Sequence, residues 1–349
     1  MGFFTKQNQE MKYKTPTSKR TKQLAMILSL IPNIVLAQQG VIVFHNCENF
    51  FYPTKDSIAL DDDFTAEGKK RWNFSRYNSK KNLLAKTYIA AGKGNMPAII
   101  GLCEIENDKV LYDLCKDSPL RKGKYKYIHY PSEDIRGIDV ALLYNEQFTP
   151  LSHNKIVIPT EENEEKTRDV LYVQGIMQDI KLNIYVIHAP SRREHNIKKA
   201  LRTKMFAIVN SHIEELRQKG EENFIIMGDM NDNPWDSSIK DGFNIIAHRN
   251  NPDPFLVNLM RNNKNKRGSY VYSGDYCSFD QFIVSKPLLN HLEIEGKEEE
   301  MIFRPDFLID KDKSNRLIQP LSTYKGMYYQ GGASDHFPIR LFLKEKSAK

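Results

Sequence analysis

Short, nearly continuous apolar runs punctuate the chain at Val41–Phe44, Ala98–Leu102, Val140–Tyr144, Asn183–Ile187, Asn223–Met227, Gln281–Val284 and Ile339–Leu343. Each has the length of a strand, and few alternate polar with apolar side chains as a half-exposed strand would. They are therefore expected to be strands covered on both faces. Between them the period changes. Ile197, Leu201, Met205, Ile208, Val209, His212, Ile213 and Leu216 recur at helical spacing until Gly220 ends the run. Residues 79–91 carry a weaker helical pattern. The stretches from Pro53 to Asn73, from Ile158 to Thr167 and from Ile294 to Tyr328 are polar and predict loops, with acidic runs facing solvent.

Doubly covered strands interleaved with helices predict an α/β fold. No proline- or glycine-rich linker divides the chain, and no repeat at solenoid period is present. An α/β fold of 349 residues can bury one large core, so a single catalytic domain over residues 38–349 is expected. With 40% hydrophobic and 27% charged residues the composition excludes fibrous and disordered classes.

The amino-terminal segment changes how the charge is read. Lys12, Lys14, Lys19, Arg20 and Lys22 precede an apolar stretch from Leu24 to Leu36, and Val35-Leu36-Ala37 offers small or modest residues for cleavage. This is the pattern of a signal peptide over residues 1–37, with Met11 as an alternative start, and it predicts export to a periplasm or the exterior. The apolar run of 13 residues contains Pro32 and is short for a hydrocarbon core of about 30 Å, so no stable membrane insertion is expected after processing. Removal of the segment lowers the net charge from +7 to +2, with 45 basic against 43 acidic residues remaining. The basic balance of the whole chain thus says little about partners. Cys47, Cys103, Cys115 and Cys277 match no zinc spacing and read as buried thiols.

The candidate chemistry lies at the ends of the apolar runs. Asn46 follows the first, Glu104 the second, His188 the fourth, and Asp229 and Asn231 the fifth. Asp280 and the pair Asp335-His336 stand just before the sixth and seventh. In a mixed sheet the end of one strand lies beside the start of an antiparallel neighbour, so all of these groups can converge on one edge. Oxygen donors from Asn46, Glu104 and Asp335 suit a hard cation such as Mg²⁺ or Mn²⁺, whereas zinc would draw thiolates or clustered imidazoles. His188, Asp229, Asn231, Asp280 and His336 are suited to orienting a water, donating to a phosphoryl oxygen and stabilising an anionic transition state. Each residue alone has a plainer reading. Asn46 and Asn231 are turn formers, Glu104 could open a solvated loop, Asp229 could be a surface acid and Asp280 a turn cap, and His188 and His336 could be satisfied histidines at strand ends. No such reading accounts for the ordered set. Arg168 opens a strand as either a phosphate-facing cation or an edge charge, and Arg136 precedes another as a substrate contact or a turn residue.

The segments Phe44-His45-Asn46-Cys47-Glu48-Asn49, Ile100-Gly101-Leu102-Cys103-Glu104, Ile187-His188-Ala189-Pro190-Ser191, Gly228-Asp229-Met230-Asn231, Phe279-Asp280-Gln281-Phe282-Ile283 and Ser334-Asp335-His336-Phe337-Pro338 follow one another through the chain. In that order, from Val41 to about Leu343, they resemble the motifs of the endonuclease/exonuclease/phosphatase superfamily, in its deoxyribonuclease I-like branch and as an exported bacterial-type member. One departure is Cys103, where the family usually carries glutamine. The resemblance implies a four-layer α/β sandwich in which two packed mixed β-sheets are flanked by helices. It implies that Glu104 and Asp335, with Asn46 at the family's metal-site asparagine, hold Mg²⁺ or Mn²⁺. It further implies that His336 hydrogen-bonds the scissile phosphate with its ring oriented by Asp280, that Asp229 with Asn231 positions or deprotonates water, and that His188 is a second phosphate ligand. Glu133 and Asp134 are the candidates to support His188.

The expected activity is metal-dependent phosphodiester hydrolysis by an endonuclease, with nucleic acid as substrate and a monomeric enzyme. Lys69-Lys70-Arg71-Trp72, Arg76, Lys80 and Lys81 read either as a grip on backbone phosphates or as a solvated basic helix start. The alternative enzyme is a sphingomyelinase-like phospholipid phosphodiesterase, which would want an exposed aromatic hairpin; no long apolar loop of that kind is evident. An inactive binding module would normally have lost Glu104, Asp229, Asp335 or His336, and none is missing.

Overall fold

The computed structural model describes residues 1–2, 40–55, 62–161, 166–192, 198–245, 253–262, 267–293, 298–312, 314 and 316–343. The expected export signal, apart from its first two residues, and the helical position Ile197 lie outside the described residues.

In chain order the elements are β1 (Gly40–Phe50), α1 (Phe74–Ala91), β2 (Ile99–Ile105), α2 (Asp108–Lys116), β3 (Lys126–His129) and β4 (Asp139–Tyr144). There follow β5 (Phe148–Ile156), β6 (Val170–Met177), β7 (Ile180–His188), α3 (Lys199–Gln218), β8 (Phe224–Asp229), α4 (Ser237–Gly242) and β9 (Leu256–Asn258). A hairpin of β10 (Tyr270–Tyr272) and β11 (Asp275–Cys277) leads into β12 (Asp280–Ser285) and β13 (Leu292–Glu293). A second hairpin of β14 (Tyr324–Lys325) and β15 (Tyr328–Tyr329) precedes β16 (Ile339–Leu343). Each of the seven apolar runs falls on a strand, with Ala98 and Asn223 one residue ahead of β2 and β8.

The strands form two six-stranded mixed sheets, ordered β13-β16-β1-β2-β4-β3 and β5-β6-β7-β8-β12-β9. Each contains one parallel pair, β1 with β2 in the first and β7 with β8 in the second, and is otherwise antiparallel. Alternation along the central strands of the second sheet explains why their sequences look continuously apolar. Ile184, Val186, Ile225, Met227, Phe282 and Val284 join the core shared with the first sheet. Their neighbours Tyr185, Ile187, Phe224, Ile226 and Ile283 pack instead with Met205, Phe206, Val209 and Ile213 of α3. On the other side, His45 and Cys47 of β1 meet the hydroxyl of Tyr88 from α1. The result is helix, sheet, sheet, helix, the four-layer sandwich expected.

Some elements depart from the sequence reading. The polar strand β5 was not foreseen, because it is an edge with Pro150 at a break in its register. The basic stretch at residues 69–81 is divided, with Lys69 and Arg71 exposed and Trp72, Lys80 and Lys81 buried. Trp72 is buried and donates to the Phe51 carbonyl. Lys80, also buried, bonds the Glu48 carbonyl and Thr323, and Lys81 pairs with Asp117. Long aliphatic stems let these lysines fill space under the helix while each ammonium finds an acceptor. The four cysteines are unpaired and buried. No described helix is long and apolar enough to cross a membrane.

Candidate active site

Sheet topology delivers the polar strand ends to one place. β1 and β2 run parallel, so Asn46 and Glu104 leave the first sheet at the same edge; β16 runs back along β1, with Ile339 opposite Phe44, and brings Asp335 and His336 to that edge. In the second sheet Asp229 is in register with His188 on one side and with Asp280 on the other.

Local backbone geometry then aims the side chains. Glu104 has φ +59° and sits where the β2–β4 register slips between Cys103 and Ile105. A non-glycine residue in the left-handed region costs energy that surrounding contacts must supply. Here the Glu104 carboxylate accepts from the Asn49 amide at 2.7 Å and the Asn46 side chain at 3.3 Å. Asn231, at φ +49°, bonds Asp229 Oδ1 through its backbone amide and the Ala189 carbonyl through its side chain, both at 2.9 Å. Glycine precedes Asp229 for a steric reason: a Cβ at Gly228 would lie 2.3 Å from the Ile187 carbonyl oxygen.

Asp229 Oδ2 is the hub. It accepts from Asn46 Nδ2 at 3.0 Å and lies 3.8 Å from His188 Nε2 and 3.9 Å from His336 Nε2. His188 Nε2 is also 3.7 Å from Glu104. His336 Nδ1 is 2.7 Å from Asp280 Oδ2, and Tyr270 stacks on the imidazole with ring centroids 4.4 Å apart. Asp280 is fully buried behind that ring. The Ser334 hydroxyl ties the closing loop to the Asn46 carbonyl at 2.7 Å.

Charge is distributed unevenly over these groups. Burial opposes protonation of His336, but Asp280, Asp229 and Asp335 outweigh it and hold the imidazole well above its usual range. His188 goes the other way, lowered by burial and by the cations Arg168 and Arg136. Burial pushes Asp229 up to about 6, against the pull of His336. Burial also raises Asp335, with the carboxylates of Glu104 and Asp229 adding to the shift. A cluster of acids that raise one another in an all-oxygen setting fits a hard divalent cation. Glu104 and Asp335 line the cleft with carboxylates. Asn46, expected as a third ligand, offers its amide nitrogen in this conformation, its oxygen accepting from the Glu48 amide at 2.8 Å. Among the described residues no three Asp, Glu, His or Cys side chains form a ready-made metal cage.

The cleft brings together Asn46, Glu104, His188, Asp229, Asn231, Asp335 and His336, with Arg136 on its wall. Arg168 stands apart from it. Its guanidinium is buried, donating to Asp134 at 2.7 Å and to the Ala189 carbonyl at 3.0 Å. Asp134 is thus the partner of Arg168, and His188 Nδ1 has no hydrogen-bond partner. Glu133 lies 3.9 Å from Lys166.

Four contributors were not visible in sequence. Tyr270 and Tyr272 line the cleft from the β10–β11 hairpin, whose turn alone decides where they face. Arg192 lines it too, paired with Asp232 and Asp236 at 3.3 Å. Arg202 of α3 is fully buried, grips Asp232 at 2.6 Å and donates to the Pro190 and Ser191 carbonyls, so it fixes the loop after His188. The fourth residue of the stretch Asp229-Met230-Asn231-Asp232 was the available signal for that clamp.

Residues 41–345 match the model of the Endonuclease/Exonuclease/phosphatase family. No curated protein sequence matches the chain. Among solved structures, an endonuclease/exonuclease/phosphatase family protein from Bacteroides thetaiotaomicron is 14% identical with a TM-score of 0.55, covering 87% of this chain and 94% of its own. A mannosyl-6-phosphatase from the same organism is also 14% identical at TM-score 0.55, covering 87% and 99%. D. rerio TDP2 complexed with a single-strand DNA product is 15% identical at TM-score 0.51, covering 88% and 99%. At these identities the structures speak for the fold.

Proposed function

Given that this chain belongs to the endonuclease/exonuclease/phosphatase family, whose members hydrolyse phosphoric esters, we propose that it is a divalent-metal-dependent phosphodiesterase acting on nucleic acid as an endonuclease. The observation that carries the reading is the facing pair of histidines across Asp229: His336, held protonated by Asp280, and His188, held neutral. A protonated imidazole donates to a phosphoryl oxygen as negative charge grows there. Asp229, with a pKa pushed up to about 6 by burial, is suited to accept the proton of an attacking water, and Asn231 fixes its other oxygen. Neutral His188 offers a hydrogen bond to a second phosphoryl oxygen without neutralising Asp229. Arg136 contributes positive charge from the wall.

Glu104 and Asp335 would hold Mg²⁺ or Mn²⁺, and Asn46 braces Glu104 and Asp229. When bound, such an ion polarises a phosphoryl oxygen and neutralises charge developing on it. Export of the mature chain is part of the proposal and rests on the sequence of residues 12–37.

A second reading has one supporting observation. On the β14–β15 hairpin Met327 and Tyr328 are exposed, Tyr328 at 79%, which suits contact with a phospholipid surface. A substrate panel separates the two: supercoiled DNA, RNA, abasic duplex, sphingomyelin vesicles, inositol phosphates and a sugar phosphate, offered to residues 38–349. Nicking of supercoiled DNA without lipid hydrolysis is expected. Hydrolysis confined to sphingomyelin or to the monoesters would overturn the nuclease reading.

A further inference from the structure

Beside the catalytic cleft lies a second cavity, of about 160 Å³, lined by Asp134, Arg136, Lys166, Thr167, Arg168 and Lys198 among others. Arg136 and Ser191 belong to both, so the two spaces share a wall. A water takes up about 30 Å³, so this cavity has room for several waters or one tetrahedral oxyanion.

Its lining is built for negative charge. Four basic side chains line it with one carboxylate, Asp134, which is engaged by Arg168 at 2.7 Å and by Arg136 at 3.5 Å, while Glu133 lies 3.9 Å from Lys166. Two of the lining residues, 7% and 4% exposed, each carry a buried polar atom without a hydrogen-bond partner, the Thr167 hydroxyl and Arg168 Nε. Buried donors are rarely left unsatisfied without a reason. The cavity also meets the start of α3, a 20-residue helix whose N-cap, Lys198, makes no side-chain capping bond. The first amides of such a helix add donors and a favourable dipole for an anion.

We propose that this cavity is a subsite for a second phosphoryl group of the substrate, adjacent to the ester being cleaved. The assignment rests on the phosphoesterase reading above and sharpens it. Preferred substrates carry a further phosphate close to the scissile one, either the next diester of a nucleic-acid strand or a terminal monoester. Lys166 and Lys198 act as specificity determinants at the mouth, and the Arg168–Asp134 pair holds the floor.

Three chromogenic substrates with the same leaving group test it: the p-nitrophenyl ester of thymidine 5′-phosphate, the same compound bearing a 3′-phosphate, and one extended at the 3′ side by a second nucleotide. For the full chain the extra phosphate is expected to raise kcat/KM at least about tenfold, mostly through KM, as charge-assisted bonds would. In the Lys166→Ala/Lys198→Ala variant that ratio is expected to fall to near one. The monoester and diester arms report which source of phosphate the cavity prefers, and a preference for either supports the proposal. Equal kcat/KM on all three substrates, or a ratio that survives the double substitution, would overturn it. Should none be hydrolysed, the nucleotide phosphodiesterase reading fails by itself. Calorimetry with inorganic pyrophosphate then judges the cavity: heat of binding lost in the double variant supports an anion site, and superimposable isotherms refute it.

Discussion

Nδ1 of His336 donates a 2.7 Å hydrogen bond to Oδ2 of Asp280, joining a residue that precedes a strand of one sheet to the first residue of a strand in the other. Packing of the two sheets is therefore what orients the imidazole. Replacement His336→Ala is expected to reduce turnover by about 10²–10⁴-fold, the usual worth of a positioned proton donor, and to lower Tm as well, because the fully buried Asp280 loses its partner. A variant that keeps wild-type turnover would remove His336 from the mechanism.

Chelation is expected to abolish activity. Dialysis against EDTA should silence the enzyme, and added Mg²⁺ or Mn²⁺ should restore it, because Glu104 and Asp335 present oxygen ligands suited to hard cations. Full turnover in metal-free buffer would contradict the cation site.

The Asp232–Arg202 pair supports stability and function together. Both side chains are buried, and Asp232 also accepts from Ser238. Asp232→Ala would strand a buried guanidinium, at a cost of about 3–5 kcal/mol, visible as a lower urea midpoint. Adding Arg202→Met should recover part of that loss while leaving activity impaired, since the carbonyls of Pro190 and Ser191 lose their donor. An unchanged midpoint in the single variant would show that the pair is dispensable.

His129 makes a pH-dependent contribution. Its nitrogens lie 2.9 Å from Asp108 and 3.1 Å from Asp139, an arrangement that needs both ring N–H groups and hence the charged form. Burial disfavours that charge, but the two carboxylates prevail and raise the pKa. A folded-state pKa above the unfolded value gives stability that is complete below about 6.5 and lost as pH rises through the folded value. His129→Phe should cost about 1.5–3 kcal/mol at pH 6 and progressively less on the alkaline side. A penalty that grew with pH would reverse the assignment.

The sequence made the central strands legible because burial on both faces leaves them almost wholly apolar, and the site legible because each polar residue interrupts such a run. Asn46, Glu104, His188, Asp229, Asn231, Asp335 and His336 meet in one cleft for that reason. Edges were harder to read: β3 and β5 are polar, and a single covered face leaves a weak period. Partners across the fold were harder still. Asp134 read, with Glu133, as a candidate support for His188, and the fold gives it to Arg168 instead. Lysines 80 and 81 read as surface because a buried ammonium depends on acceptors supplied from distant segments.

Strand β16 lies between β13 and β1, so the first strand of the sheet waits for one of the last to be made. Until the chain is available through Leu343, β1 keeps an open edge able to pair with another molecule, and Asp335 and His336 are missing from the cleft. A truncated or still-emerging polypeptide is thus expected to be sticky and inert at once, and recovered hydrolysis after refolding reports that the ends of the domain have found each other.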